Sequence, residues 1–299
     1  MEKGRLIAYL KALFTVVVWG ASFIATKVAL RDALPITIVW LRFAIGVLIL
    51  GLAVAYRKQL YLPKLKDLPY FALLGFIGIT YHQWLQSTGL KTAAASTTAW
   101  IVASTPIFIA ILGWLFLKEK LIWDAALGIL MAAFGVLLVV SKGDLDAVLG
   151  GSFGTPGDKL ILISAPNWAV FSVLSRRGLK DHRAATMMFY VMSFGWLFSS
   201  VQFFAGSGLS DVTNLTRNGW LGVVFLGIAC SGLAYIFWYD ALQALPATQV
   251  GVFLYLEPLV AVVVSAAILS EAVTLASLVG GVVILVGVWI VNRPRKLST

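Results

Sequence analysis

Glu257 and His82 are ionisable side chains set inside long apolar runs, and they are the first residues in this chain able to do chemistry. His82 stands four residues from Gln86 in GITYHQWLQSTG, so the two share one helical face. Ionisable groups within a membrane span are rare, and they face protein or a water-filled cavity. As a site, the pair offers donors and acceptors to an amino or carboxyl group, with His82 also able to hold a proton. As structure, it would only bond neighbouring helices, for roughly 0.6 kcal/mol per bond. Glu257 precedes Pro258 in QVGVFLYLEPLV. A charge at that depth costs roughly 2.5–3.5 kcal/mol on insertion scales, so it needs water, a proton or a partner. It reads either as a site for a substrate amine or proton, or as the partner of a basic helix residue such as Lys27, Arg42 or Arg176.

A second group is aromatic. Ser96, Trp100 and Ser104 form an i, i+4 stripe in ASTTAWIVASTP, in which small polar neighbours let the Trp100 ring border an open space. Trp19 and Trp168 fall near the middles of two other runs, Tyr235 and Tyr239 lie one turn apart, and Tyr255 is close to Glu257. Aromatic faces stack on aromatic ligands and attract ammonium groups. Each ring taken singly is more often packing. Trp123, Trp220 and Trp289 sit near run ends and read as interface anchors. Pro106 and Pro258 each leave a carbonyl without its helical donor and mark bends or hinges.

These residues are carried by ten apolar runs, at about 6–29, 35–55, 68–88, 93–116, 122–140, 158–176, 184–204, 217–243, 246–270 and 273–292. The chain has 299 residues, of which 60% are hydrophobic and only 12% charged. Soluble domains carry roughly 25% charged residues, so lipid is the main solvent here. Runs of about 20 apolar residues span a bilayer as helices, and their continuous rather than alternating pattern excludes strands. The N-terminal run is too long for a signal peptide core and is read as an uncleaved first helix. The single cysteine, Cys230, excludes an intrachain disulfide or a cysteine metal cluster. Neither a nucleophile motif nor metal-ligand spacing occurs around His82 or His182, so the expectation is a non-enzyme without metal or cofactor.

The chain repeats itself. A shift of 152 residues lays STPIFIAILGWLFLKE (104–119) on LEPLVAVVVSAAILSE (256–271), so that Pro106 meets Pro258, Glu119 meets Glu271, Gly128 meets Gly280 and Gly135 meets Gly287. Near the start the shift is 149, pairing Trp19 with Trp168 and Lys27 with Arg176. The expected organisation is a first five-helix repeat at 1–142, a Gly-rich linker at 143–157 and a second repeat at 158–299. Five crossings per half place the halves in opposite orientations. With a cytoplasmic N-terminus, sixteen Lys and Arg fall in inside segments and five in outside ones. The net charge of +10 therefore sets topology rather than binding nucleic acid. Inverted repeats suit a transporter that opens a midplane site to each side in turn.

The two inverted units, VVVWGASFIATKVAL, NWAVFSVLSRRGL and the paired TP…LKE and EP…LSE corners resemble the EamA-type drug/metabolite transporters, over nearly the whole chain. The chain looks most similar to the YddG-type exporters of aromatic amino acids in the bacterial inner membrane. That resemblance implies a central cavity between the halves, walled by the first, third, fourth, sixth, eighth and ninth helices, with amino acids as substrate and membrane lipid as the other partner. It leaves the oligomeric state open. Small cation-extruding relatives use an acidic residue in the first helix, and LIAYLKALFTVVVWGASFIATK has none, which argues against that mechanism. The combined expectation is an all-α integral membrane exporter of aromatic and other uncharged amino acids, with both termini cytoplasmic. Its substrate site comprises Trp19, His82, Gln86, Trp100, Ser104, Trp168, Tyr235, Tyr239, Tyr255 and Glu257, with hinges at Pro106 and Pro258. The alternatives are a carrier of a nucleotide sugar or drug-like compound, and a non-transport membrane scaffold.

Overall fold

A computed structural model describes residues 2–117, 123–144, 146, 154–245 and 247–292. Glu119 and most of the expected linker lie outside the described residues. Helix accounts for every regular element among the described residues. In chain order the α-helices are α1 (Glu2–Ala29), α2 (Pro35–Tyr56), α3 (Leu68–Gly75), α4 (His82–Gly89), α5 (Ala95–Ala103), α6 (Thr105–Leu117), α7 (Trp123–Val140), α8 (Pro156–Asp181), α9 (Ala184–Ala205), α10 (Gly208–Asn214), α11 (Arg217–Phe225), α12 (Ala234–Ala244), α13 (Ala247–Val252), α14 (Glu257–Leu269) and α15 (Leu275–Asn292). Among the described residues, seven helical stretches are long and apolar enough to cross a membrane. Their outer faces stay greasy: Leu52, Leu130, Val201 and Val263 are all more than 60% exposed, which suits lipid rather than water.

Several rods are irregular where their sequence demands it. A π-helical segment, Phe76–Tyr81, joins α3 to α4, and a second, Leu226–Leu233, joins α11 to α12. Widening the turn releases backbone groups, and the Asn167 side-chain amide donates to the carbonyl of Ile77 at 2.9 Å. The rod containing Pro106 is interrupted at Ser104, and the Thr105 hydroxyl donates to the Val102 carbonyl at 2.7 Å, taking the place of the missing proline N–H. Before Pro258 the chain tightens into a 3-10 turn, Phe253–Leu256.

The bundle is assembled from non-local helix pairs. α1 packs on α12 and α14, α4 on α8, α2 on α9 and on the second π segment, and α7 on α15. The last pair is the tightest. A Cβ added to Gly128 would sit 2.6 Å from the Gly287 carbonyl oxygen, and one added to Gly135 would sit 2.7 Å from that of Gly280. With no hydrophobic force between helices in lipid, such close approach supplies the attraction.

One end of the bundle is tied by a polar node. The Lys27 ammonium donates to Glu271 at 3.0 Å and to the Ala93 carbonyl at 2.8 Å. The same carboxylate accepts the Ala95 amide at 2.9 Å, and the Ser96 amide and hydroxyl at 3.2 and 3.0 Å. Glu271 thus caps α5 from a distant segment, where the helix dipole favours negative charge. At the opposite end Asp240 accepts from Lys11 at 2.6 Å and from Arg57 at 2.6 and 3.0 Å. Burial pushes the Glu271 carboxyl up, but the Ala95 amide, the Lys27 ammonium and the Ser96 amide outweigh it and hold the group below the usual carboxylate range. A depressed folded-state pKa contributes stability above the unfolded value and loses it as pH falls through the folded one. Glu271→Gln is therefore expected to lower the apparent melting temperature in detergent at neutral pH, by the equivalent of about 2 kcal/mol. The gap from the unsubstituted protein should narrow as pH is taken below the carboxylate range. Melting curves of both proteins across pH check this.

Candidate functional site

The irregular rods surround one cavity of about 410 Å³. α1 contributes Trp19, α2 Arg42, α4 His82, Gln83 and Gln86, and α8 Trp168; Thr105 and Pro106 enter from α6. Tyr235, Trp238 and Tyr239 come from α12, Tyr255 from the 3-10 turn, and Glu257 and Pro258 from the start of α14. Each π segment ends directly before a lining stretch, delivering His82 on one side and the α12 aromatic residues on the other. π-bulges of this kind recur at functional sites because they re-aim the following turn.

Aromatic rings form much of the wall. Trp168 lies between His82 and Phe171, with centroids 4.7 Å away on each side. Trp19 meets Tyr235 edge-on at 5.7 Å and Trp238 at 5.3 Å, and its indole N–H donates to the Cys230 carbonyl at 3.2 Å. The polar atoms are few. The His82 ring is buried and its Nδ1 has no hydrogen-bond partner among the described residues. Arg42 donates from Nε to the Ser231 hydroxyl at 3.0 Å and from Nη1 to the Gln83 side-chain oxygen at 3.1 Å, with its guanidinium 5.0 Å over the Phe43 ring.

Of the residues singled out in the sequence, Trp19, His82, Gln86, Trp168, Tyr235, Tyr239, Tyr255, Glu257, Pro106 and Pro258 line this cavity together. Trp100 and Ser104 are not among its lining residues. The Trp100 ring is turned to α15. Trp100 is 1% exposed, and a Cβ added to Gly281 would fall 2.5 Å from its ring. The Ser104 hydroxyl is spent on the Ile101 carbonyl at 2.6 Å. Two of the basic partners suggested for Glu257 are occupied elsewhere, since Lys27 holds Glu271 and Arg42 holds Ser231 and Gln83, and the third, Arg176, is exposed. The Glu257 carboxylate makes no ion pair with another described residue, and only the backbone N–H of Glu257 is bonded, to the Leu254 carbonyl. Sequence reasoning missed, among other lining residues, Gln83, Trp238 and Phe171. Arg42 did signal itself as an arginine deep in an apolar run, and reads both as a partner for Glu257 and as a basic group for an anionic substrate.

An all-helical, lipid-exposed bundle that encloses a cavity with aromatic walls and a few polar groups defines a membrane transport protein. The chain belongs to the EamA-like transporter family, whose pattern it matches twice, over residues 6–141 and again over 155–293. An uncharacterized transporter of Archaeoglobus fulgidus is 26% identical over 287 residues, covering 96% of this chain and 98% of the relative. The uncharacterized transporter YdfC of Bacillus subtilis is 29% identical, covering 93% and 90%. A probable terminal-alkyne amino-acid exporter of Streptantibioticus cattleyicolor is 26% identical, covering 94% and 92%. A solved crystal structure, 20% identical with a TM-score of 0.65, covers 95% of this chain and 98% of its own and shares the fold.

The two tryptophans separate packing from site. Trp100→Ala empties a closed core position and is expected to destabilise by about 3–5 kcal/mol. Trp168→Ala opens onto a cavity that already exists, so its cost in stability should be clearly smaller. Thermal unfolding of the two variants in the same detergent checks the order.

Proposed function

We propose that this protein exports aromatic and other uncharged amino acids by alternating access across the bacterial inner membrane. The observation that carries the reading is one cavity combining Trp19, Trp168, Tyr235 and Tyr239 with charged groups unpaired among the described residues, Arg42 towards carboxylates and Glu257 towards bases. Apolar walls with a small number of placed polar groups suit an amphipathic small molecule. The relative described as a probable terminal-alkyne amino-acid exporter supports the same substrate class.

The proposed architecture is ten membrane-spanning rods in two inverted five-helix repeats, 1–142 and 158–299 about a 143–157 linker. The double family match supports it. So do the glycine contacts: the 152-residue shift turns Gly128 against Gly287 into Gly280 against Gly135, and both approaches are present. The shift also carries 76–81 onto 228–233, within the second π segment, and Ser104 onto Leu256, at the end of the 3-10 turn. In this reading both termini are cytoplasmic and Glu271 marks the outer end. There α5 packs directly on α14, while no comparable packing joins α6 to α13 among the described residues. The reading takes the α5–α14 contact as the closed outer gate and the breaks before Pro106 and Pro258 as the hinges of both gates.

A second reading rests on Arg42. A guanidinium in the cavity also suits an anionic metabolite such as a nucleotide sugar. Proteoliposomes holding the purified protein separate the two. Labelled phenylalanine, tyrosine and tryptophan should exchange across the membrane, and Trp168→Ala and His82→Ala should lower the rate about tenfold or more per folded protein, as expected when a stacking face or a charge-competent contact is lost. Exchange of nucleotide sugars with none of amino acids would establish the second reading and remove the first.

A further inference from the structure

Arg42 is 6% exposed, sits within α2, and lines the cavity with no carboxylate bonded to it among the described residues. A guanidinium carries five N–H donors in a planar fork. Two are used, on Ser231 and Gln83, and three have no acceptor among the described residues. Those two bonds and the Phe43 ring beneath fix the plane of the fork while leaving Nη2 unbonded. A buried cation without a counter-ion is costly, and the lipid setting makes it costlier. Such a group is tolerated when its counter-ion arrives with the ligand. A carboxylate matches the free edge, because its two oxygens accept two parallel N–H bonds.

We propose that Arg42, positioned by Gln83 and Ser231, is the carboxylate anchor of the transported substrate, and that Glu257 answers its ammonium group. The proposal rests on the amino-acid reading for the ammonium half alone; the carboxylate half stands without it. Arg42 and Glu257 line the same cavity and do not pair with each other, so a zwitterion would bring a partner to each. The aromatic side chain then lies among the tryptophan and tyrosine rings. His82 and Gln86 become neighbours of this anchor rather than the main contact to the carboxylate.

Equilibrium binding to the detergent-solubilised protein tests this with four probes: phenylalanine, phenylalanine amide, 3-phenylpropionate and phenethylamine. Phenylalanine should bind tightest, and the two probes without a carboxylate should bind at least about tenfold weaker, as for loss of a charge-assisted pair. Arg42→Gln should abolish that preference, Arg42→Lys should restore part of it, and Gln83→Ala should weaken phenylalanine with little effect on phenethylamine. The probe series on the unsubstituted protein is informative even if Arg42→Gln does not fold. Phenylalanine and its amide binding alike, or a folded Arg42→Gln retaining the preference, overturns the carboxylate anchor while leaving amino-acid transport intact. Arg42-dependent binding of 3-phenylpropionate with none of phenylalanine keeps the anchor and overturns the amino-acid reading. Binding of phenethylamine with no carboxylate bound at all overturns both.

Discussion

In lipid, a polar group must find its partner within the chain or face enclosed water, and this constraint organises the whole molecule. Most groups obey it locally. Thr105 takes the carbonyl that Pro106 releases, Asn167 takes one from the first π segment, and Glu271 collects the first amides of α5 together with the Lys27 ammonium. Exceptions remain among the described residues: Thr88 Oγ1, Trp100 Nε1, Asp158 Oδ1 and Trp196 Nε1 are buried without a partner away from the cavity, and three more residues carry unsatisfied groups within it. Arg42 keeps spare donors, the Glu257 carboxylate has no ion pair, and His82 Nδ1 is unbonded. All three residues line one cavity.

The irregular backbone belongs to the same economy. Regular helices would satisfy every backbone group and pack into a closed bundle. Here four of the cavity-facing rods carry a defect, with π segments before His82 and Ala234, a break at Ser104 and a 3-10 turn before Glu257, while α1, α2 and α8 line the cavity as continuous helices. These defects open space and turn side chains into it. The regular pair α7 and α15 does the opposite, approaching through glycines to form a rigid flank.

Much of this was legible in the amino-acid order. The all-helical membrane class followed from run length and charge depletion, and the family followed from the repeat and its corner motifs. Some of the lining residues could be named, because deep polar and aromatic side chains in such runs have few other uses. Trp100 shows the limit. Its spacing with Ser96 and Ser104 gives a helical face correctly, but which neighbour takes that face depends on Gly281, far along the chain. Lys27 shows the same limit, since its partner Glu271 lies 244 residues away and competes with the nearer suggestion, Glu257. Gln83 gave no signal of its own, since its role depends on Arg42 reaching it from another helix.

The account stands on Arg42 and Glu257 facing enclosed water rather than dry protein. Ser172 lines the same cavity, and Cys230 is the sole cysteine, so Ser172→Cys in a Cys230→Ser background places one thiol there. The measurement is the rate at which a charged, membrane-impermeant methanethiosulfonate modifies that thiol in sealed vesicles. The account predicts modification from an aqueous side, slowed by a bound substrate. A thiol that reacts only with a lipid-soluble reagent, in protein that is otherwise folded, would contradict it.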